Sequence, residues 1–558
     1  MKNINKSVLF LSAISLLLLN ACKKDYLNVT PTNLLTAQTI FGDSVLTEVY
    51  VVGRYTGVQL TSENAGPSFQ RGFDSPWLSS ITDESIHTQD NGSFIVQQGN
   101  VTPDNASFLT NFWFRSYRSI REINYAFANI DNVPMSNGTK TRLKAELHFI
   151  RAYRYHDLIR AYGDVPLVGD KVWGLTDKDY TPLFTRSPKQ DCIAYAVNEL
   201  DQAIAGLKNA KLADGRASVG AAMGLKSRLL LYAASPLYTD GQNNPTKWAA
   251  AAAAAKAVMD LGTYSLYPNY KAEFLTNKTS EDVYERVYST SVQHSQLELL
   301  NGPNGYNGWG GNTPLQNFVD GFQMSNGKAI TDPSSGYNPQ DPYTNRDPRL
   351  AQTVLYNGHP YRGRPVEFFL PGGKDSKDGI ANWNTTLTGY CMLKYMDENL
   401  NPNDPLNLYK DQTQTQPFKY IRYAEILLNY AEAQNEAVGP DNSVYAALKL
   451  IRTRAGMPEI TPGLSQADMR TAIQNERQVE LSFEDHRYFD VRRWKIANVT
   501  ENVPAYGVHP VKNADGSITY TKFVALANRK FADKNYWMPI PQSEILSSGG
   551  LLKQNPGY

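Results

Sequence analysis

The sequence predicts a mainly α-helical protein in which helix pairs form a scaffold and a large, loop-rich, irregular insertion interrupts it. Apolar residues recur at helical spacing in several stretches, for example at Leu143, Leu147 and Ile150. Seven consecutive alanines at 249–255 favour a helix with a thin side-chain layer, against which another helix can pack closely. Between about 262 and 417 this pattern gives way to Gly, Pro, Asn, Asp and aromatic residues, which are typical of turns and loops.

The first 22 residues have the layout of a secretory signal. Lys2 and Lys6 precede a short apolar run at 8–19, which is too short to span a bilayer comfortably. The run ends in Ala21-Cys22, and a small residue before a cysteine resembles the lipobox of bacterial lipoproteins. We therefore expect 1–21 to be removed, Cys22 to be acylated and 22–33 to form a flexible tether. The alternative is an ordinary signal peptide with an incidental cysteine.

The remainder, 34–558, is predicted to be a single domain whose helical scaffold covers about 34–261 and 418–558. Ser465 followed by Asp468 resembles a capping box that opens a helix reaching to about 497. Pairs of this size resemble tetratricopeptide repeats, although no fixed-period consensus is present. The helices are expected, in order, at 107–131, 139–162, 188–207, 217–238, 248–261, 418–437, 442–455 and 465–497.

Two loop-built regions are expected to carry function, one at about 262–417 and a smaller one at 62–105. Long loop regions inside a compact protein are usually functional or disordered, and their aromatic residues argue against disorder.

Composition excludes several classes of protein. The chain has 55 Lys and Arg against 54 Asp and Glu, so no basic surplus supports electrostatic binding of nucleic acid. The mean hydropathy of −0.44 excludes a polytopic membrane protein. After cleavage only Cys192 and Cys391 would remain alongside Cys22, so no disulfide framework is required, although one bridge between them is possible.

A series of motifs, in the expected order, is similar to the signature of SusD/RagB-type outer-membrane nutrient-binding lipoproteins of the Bacteroidetes. They cover nearly the whole chain, from the lipobox to the last residue. They are Arg151-Ala152-Tyr153, 162–167 (YGDVPL), 345–350 (NRDPRL), 422–428 (RYAEILL), 430–433 (YAEA), 454–456 (RAG), 476–494, 537–541 (WMPIP) and 554–558 (QNPGY).

This resemblance implies four degenerate tetratricopeptide-like helix pairs and a loop-rich ligand-binding region. It also implies a lipid anchor in the outer membrane, facing the cell exterior, and a role as the lid of a SusC-like, TonB-dependent transporter. Such a lid captures oligosaccharides, or peptides in some members, for nutrient uptake. The resemblance implies a binding protein that is not an enzyme and has no cofactor.

The carboxylates of Glu476, Glu480 and Glu484 recur every four residues and share one helix face. Glycosidases need two carboxylates opposed across a bond, which one helix face does not provide. Ion pairs with nearby arginines explain these residues better. The candidate partners are Arg477, Arg487, Arg492 and Arg493.

No catalytic or metal-binding motif is present. None of the seven histidines has a metal-ligand spacing, and there is no phosphate loop or nucleophile elbow. We therefore predict neither catalytic residues nor a metal site. A lipid-anchored glycoside hydrolase is an alternative. It would need opposed carboxylates in the insertion, for instance among Asp320, Asp332, Asp341 and Glu367.

Sugar binding needs flat aromatic faces and planar polar groups for hydroxyl pairs. The best candidates are Tyr306 and Trp309, on a Gly- and Asn-rich loop that also carries Asn304 and Asn307. A second candidate is Trp383, which lies between two asparagines. For each, the alternative is an aromatic residue that docks back on the scaffold.

The first loop adds further candidates around the triplet Thr82-Asp83-Glu84. The starch-binding founder of the family carries tryptophans just after its matching triplet, whereas this sequence has His87 and Asn91 there. That departure argues against a starch-type aromatic arc. Trp77, just upstream, is a candidate to compensate, and the triplet itself is expected to be structural.

Overall fold

The computed structural model describes residues 36–56, 77–174, 176–289, 294, 297–399 and 415–558. The predicted signal peptide, Cys22 and the tether lie outside these residues. Within them, no helix is long and apolar enough to cross a membrane.

The protein is mainly helical, at 45% helix with little strand, which confirms the predicted fold class. Ser136, Ser218, Asn244 and Ser465 each cap a helix by accepting a hydrogen bond from a backbone N–H three residues on. The scaffold helices are Ser107–Ile130, Asn137–Tyr162, Lys189–Leu207, Val219–Ala234, Pro245–Met259, Tyr423–Val438, Asn442–Arg454 and Gln466–Glu480.

Successive scaffold helices pack on one another as far as Tyr423–Val438, which contacts both Asn442–Arg454 and Gln466–Glu480, and the array continues across the insertion. Helix Pro245–Met259 packs on Val219–Ala234 and also on Tyr423–Val438, which lies far along the chain. Ala251, Ala252 and Ala255 of the alanine run are buried. One helix pair is therefore assembled from segments on either side of the insertion.

Two predicted helix boundaries are wrong. Residues 418–422 do not begin a helix; strand Phe418–Arg422 pairs antiparallel with strand Asp282–Arg286. The last scaffold helix ends at Glu480 instead of about 497, because Phe483 and Asp485 adopt φ values of 57° and 64°, which a helix cannot accommodate.

Outside the scaffold, the described residues form short elements, apart from helix Ser44–Thr56 and one hairpin. Strands Ala505–Lys512 and Ile518–Leu526 form this antiparallel hairpin within the region predicted to be helical scaffold. The remaining strand pairs are Ser85–His87 with Asn312–Pro314, Val165–Pro166 with Arg186–Ser187, Val354–Leu355 with Cys391–Met392, and Pro360–Tyr361 with Arg364–Pro365.

Further helices occur outside the scaffold. The α-helices are Ala37–Phe41, Ser44–Thr56, Ser93–Gln97, Thr181–Phe184, Tyr270–Glu273, Leu297–Asn301, Gln316–Asp320, Leu350–Thr353, Arg487–Arg493, Ala497–Thr500 and Gln542–Ser547. The 3₁₀ turns are Leu78–Ile81, Asn304–Tyr306, Asn382–Asn384 and Asp533–Tyr536.

The scaffold and the insertion have separate hydrophobic cores. The insertion core includes Phe318, Phe322 and Tyr395, and it also takes in Trp77 and Phe483 from outside the insertion. The two cysteines are buried and free, so the possible bridge does not form.

A buried ion-pair network joins the last scaffold helix to the insertion. The Glu480 carboxylate accepts hydrogen bonds from Arg349 (2.9 Å), Arg422 (2.6 Å) and Arg454. Arg349 also donates to Glu476, and Arg422 to Glu484. The expected arginine–carboxylate pairing of the three glutamates is thus confirmed.

The arginines that were predicted to be the partners bond elsewhere. Arg477 and Arg493 donate to Asp490, and Arg487 donates to Asp83. Arg492 donates to the backbone carbonyls of Tyr488 and Asn535. The true partners come from distant segments, which helix spacing alone does not reveal.

Candidate ligand-binding surface

A short two-stranded ribbon brings the first loop to the insertion. Ser85–His87 pairs antiparallel with Asn312–Pro314, with His87 opposite Asn312. The Thr88 backbone N–H continues the pairing by donating to the Gly311 carbonyl at 2.8 Å. The loop that carries Asn91 and the loop that carries Trp309 therefore leave the same end of the ribbon.

Gly310 is the point at which three candidate segments meet. A Cβ added there would lie 2.9 Å from the Asn384 carbonyl oxygen and 3.0 Å from Thr88 Oγ1. Gly310 follows Trp309, and Asn384 follows Trp383, so the backbones that carry the two tryptophans are in contact. The φ of 71° at Gly310 also favours glycine.

Trp383 is the most exposed of the predicted site residues. Its side chain lies on the 3₁₀ turn Asn382–Asn384 and is 78% exposed. The neighbouring Ile380 is 58% exposed. Trp309 is half-buried. These exposed apolar side chains at nearby positions make the turn a candidate surface for contact with another molecule.

Polar residues lie on the loops that meet at Gly310. Asn307 is half-buried and has a φ of 62°, and Asn91 is exposed with a φ of 37°. Gln89 and Asp90 are exposed beside Asn91. Amide and carboxylate groups of this kind can exchange hydrogen bonds with hydroxyl groups. We name Asn91, Asn307, Trp309 and Trp383 the tryptophan surface.

Two candidates of the 304–309 loop are structural in this conformation. Asn304 is buried, and its Nδ2 donates to the carbonyls of Ser376 (3.1 Å) and Ile380 (2.7 Å). Tyr306 is 8% exposed, and its hydroxyl donates to the Tyr361 carbonyl at 2.7 Å. Their expected role as ligand contacts is corrected: they hold the loop that carries Trp309.

Two candidates of the first loop are also buried. Trp77 packs edge-on against Tyr395 and Phe483 in the insertion core, and only 3% of it is exposed. His87 is 3% exposed with Nδ1 against the Gln89 carbonyl, and burial lowers the pKa of its imidazole. Both expectations of ligand contact are corrected, because neither side chain reaches the surface.

The triplet Thr82-Asp83-Glu84 is structural, as expected. All three residues are buried, and Asp83 accepts two hydrogen bonds from Arg487, at 2.7 and 2.6 Å. Burial raises the pKa of the Glu84 carboxyl well above its usual range.

The carboxylates that a hydrolase would need each have a local partner. Asp320 accepts from Gln316 and Lys522, and Glu367 accepts from the Lys374 backbone N–H. Asp341 accepts from Thr344, and Asp332 accepts from Ser334. The Ser334 hydrogen bond lowers the pKa of Asp332, whereas a general acid needs a raised pKa. Among the described residues, no group of His, Cys, Asp and Glu could hold a metal ion.

Comparison with known proteins gives the family. A family model described as "SusD family" matches residues 270–558, more than half of the chain. The chain belongs to the SusD family. A second model, described as "Starch-binding associating with outer membrane", matches residues 25–231.

Relatives and solved structures agree with this assignment. A SusD-like protein P2 of Formosa agariphila is 24% identical over 82% of both chains. A crystal structure of a SusD-like protein from Bacteroides fragilis superposes with a TM-score of 0.77 at 26% identity, over 95% of this chain and all of that one. A crystal structure of a SusD-like carbohydrate binding protein of the same organism superposes with a TM-score of 0.75 at 26% identity. The superposition covers 91% of this chain and 98% of that one.

In this SusD-family protein, sequence reasoning missed Thr88 and Ile380 as neighbours of the tryptophan surface. Thr88 has no chemical signature of a binding residue, and Ile380 resembles a core residue. Their placement follows from the contact at Gly310 and from the Asn304 hydrogen bond, which join segments far apart in the chain.

Proposed function

We propose that this protein is a lipid-anchored, cell-surface protein that binds oligosaccharides on the tryptophan surface and does not catalyse their cleavage. The main supporting observation is that the backbone segments that carry Trp383 and Trp309 are in contact, and that Trp383 is 78% exposed. Indole faces can cover the C–H faces of sugar rings, while the bordering amides bond to hydroxyls. A solved SusD-like relative whose name describes carbohydrate binding supports this class of ligand.

We further propose that the protein acts as the lid of a SusC-like, TonB-dependent transporter in the outer membrane. Membership of the SusD family supports this role, as does the family model described as associating with the outer membrane. The anchor would be acylated Cys22, and the domain 34–558 would face the cell exterior.

The test of the ligand class is calorimetry of the chain starting at Lys23 with a panel of oligosaccharides and a matched panel of peptides. Wild type is compared with Trp383→Ala and Trp309→Ala. Phe114→Ala is the control, because Phe114 is an aromatic residue that is 42% exposed on a scaffold helix.

We expect sugar binding that weakens at least about tenfold in each tryptophan variant and is unchanged in the control. Peptide binding without sugar binding would overturn the ligand class and would support the peptide alternative. Cleavage of an oligosaccharide by the wild-type protein would overturn the non-catalytic assignment.

The test of the lid role is affinity purification of the lipoprotein from outer membranes. We expect a TonB-dependent barrel of large size to co-purify in comparable amount. Recovery of the protein alone, under conditions that keep other outer-membrane complexes intact, would contradict the proposal.

A further inference from the structure

A cavity of about 210 Å³ lies where the helical scaffold meets the two strands that connect it to the insertion. Helices Ser44–Thr56 and Asn137–Tyr162 form one side, and strands Asp282–Arg286 and Phe418–Arg422 form the other. The lining includes Tyr55, Tyr153, Tyr284 and Tyr420 but no residue of the tryptophan surface.

Arg154 lines this cavity, and its guanidinium has no hydrogen-bonding partner among the residues that the structure describes. Its side chain is 3% exposed. The nearest carboxylate oxygen, on Asp157, is 3.9 Å away, and Asp157 lies closer to Arg160, at 3.0 Å. Burial lowers the pKa of Arg154, which means that its charged form is less favourable in the folded protein than in water.

Another buried arginine on the same helix shows the contrast. Arg151 is 2% exposed, and it donates to both carboxylate oxygens of Glu199, at 2.6 and 2.8 Å, and to Asn124 at 2.8 Å. Because arginine is charged at all physiological pH values, a buried guanidinium needs such partners. Arg154 has an open cavity in their place.

Several of the other charged residues of the lining already have ion-pair partners. Arg216 donates to Glu146 and Glu48, and Arg54 is paired with Glu122. Glu285 is paired with Lys419 at 3.0 Å. An anion that entered the cavity would therefore meet the positive charge of Arg154 without displacing an existing ion pair.

The size and walls of the cavity define the class of that anion. Its volume of about 210 Å³ leaves room for a small organic molecule rather than for a single water. The rings of Tyr284 and Tyr420 stack with their centroids 5.2 Å apart. One wall of the cavity therefore consists of aromatic rings that carry hydroxyl groups.

We propose that this cavity binds a sugar-sized organic carboxylate of the uronic acid class, with Arg154 pairing with the carboxylate and the Tyr284–Tyr420 wall contacting the ring. The inference does not depend on the tryptophan surface, because the two sets of lining residues do not overlap. The proposal adds a second binding site, selective for carboxylate ligands, where the scaffold meets the insertion.

The test is calorimetry of the full-length protein, purified in detergent, with glucuronate and with glucose as the neutral probe of matched shape. We expect glucuronate to bind and glucose to bind at least about tenfold more weakly, since glucose lacks the charge that Arg154 would pair with. Arg154→Gln should reduce glucuronate affinity at least about tenfold, and Lys208→Gln, at an exposed lysine outside the cavity lining, should leave it unchanged. Equal binding of both sugars, absence of glucuronate binding, or glucuronate affinity unchanged by Arg154→Gln would overturn the proposal.

A second measurement does not depend on the folding of the variant. Crystals of the wild-type protein soaked with glucuronate should show the carboxylate within hydrogen-bond distance of the Arg154 guanidinium. Ordered water alone at that position, at glucuronate concentrations that saturate the calorimetric signal, would overturn the assignment even if the protein binds the sugar elsewhere.

Discussion

Gly310 lies so close to Asn384 that an added Cβ would approach the Asn384 carbonyl oxygen to 2.9 Å. Because each residue directly follows a tryptophan of the tryptophan surface, this contact fixes how closely the two backbone segments that carry the indoles approach each other. Binding at that surface should therefore depend on a position that has no side chain of its own.

Gly310→Ala should weaken oligosaccharide binding about tenfold or more, because the methyl group must push the Trp383 turn away. Calorimetry measures the affinity, and thermal denaturation measures stability. Gly336→Ala is the matched control, since Gly336 also has a positive φ, at 77°, but has no atom within 4 Å of the added carbon. Both variants should lose about 1–3 kcal/mol of unfolding free energy from backbone strain. Unchanged affinity in Gly310→Ala would contradict this explanation.

Trp77→Ala should reduce the stability of the protein, whereas Trp383→Ala should reduce ligand binding. Trp77 is 3% exposed in the insertion core, so its truncation should lower the unfolding free energy by about 3–5 kcal/mol. Trp383 is 78% exposed, so its loss should leave stability within about 0.5 kcal/mol and reduce binding instead. Denaturant titration combined with calorimetry separates the two effects. A stable Trp77→Ala variant would mean that the insertion core is packed differently.

Glu480→Gln should destabilise the protein by about 3–5 kcal/mol, because it leaves three buried arginines without their shared carboxylate. Arg349, Arg422 and Arg454 all donate to Glu480. The control is Glu459→Gln, which removes an ion pair with Lys449 whose side chains are 58% and 56% exposed. The control should change the unfolding free energy by less than about 1 kcal/mol in guanidinium titrations. Similar losses in both variants would count against the importance of the buried network.

Glu273 should make stability fall as the pH rises from about 4.5 towards 9. Burial raises the pKa of its carboxyl to about 9, from an ordinary value of 4.5. The folded chain therefore keeps a proton that the unfolded chain releases, so the stabilisation is complete below about pH 4.5 and is lost as the pH rises towards 9. The slope contributed by this one group is at most about 1.4 kcal/mol per pH unit.

Glu273→Gln removes this titration, because the amide stays neutral. Denaturation midpoints at pH 4 and pH 8 should show equal stability of variant and wild type at the lower pH, and a more stable variant at the higher pH. A difference that is the same at both pH values would show that Glu273 is not the titrating group.

Cys22→Ser should release the protein from the membrane fraction, because the lipid anchor would have no attachment site. Cell fractionation followed by immunoblotting measures the distribution, and labelling with a fatty acid analogue measures acylation. Cys192→Ser is the control, since Cys192 is a buried free thiol of the scaffold. Continued membrane attachment of the unacylated Cys22→Ser variant would point to retention by a membrane partner.

Local patterns in the sequence were sufficient to predict the scaffold helices. The Ser465–Asp468 cap and the buried face of the alanine run both follow from short-range chemistry. The strand Phe418–Arg422 could not be predicted this way, because its conformation depends on pairing with Asp282–Arg286, far along the chain.

The candidate site was predictable in its segments but not in all its side chains. The loop of Trp309 and the turn of Trp383 do meet. Tyr306 and Trp77 resemble sugar-binding aromatics in sequence, but they are buried by partners from other segments, Tyr361 and Phe483. Exposure of an aromatic residue is a tertiary property, so composition and loop character do not determine it.

The helix pair built from Pro245–Met259 and Tyr423–Val438 has a consequence for biosynthesis. As the chain leaves the ribosome, the alanine face of the earlier helix lacks this partner until the whole insertion has been made. At roughly 5–20 residues per second, that delay is on the order of ten seconds. The scaffold array can therefore close only after the insertion has been synthesised, and the insertion core itself is completed later still, when Phe483 has been added.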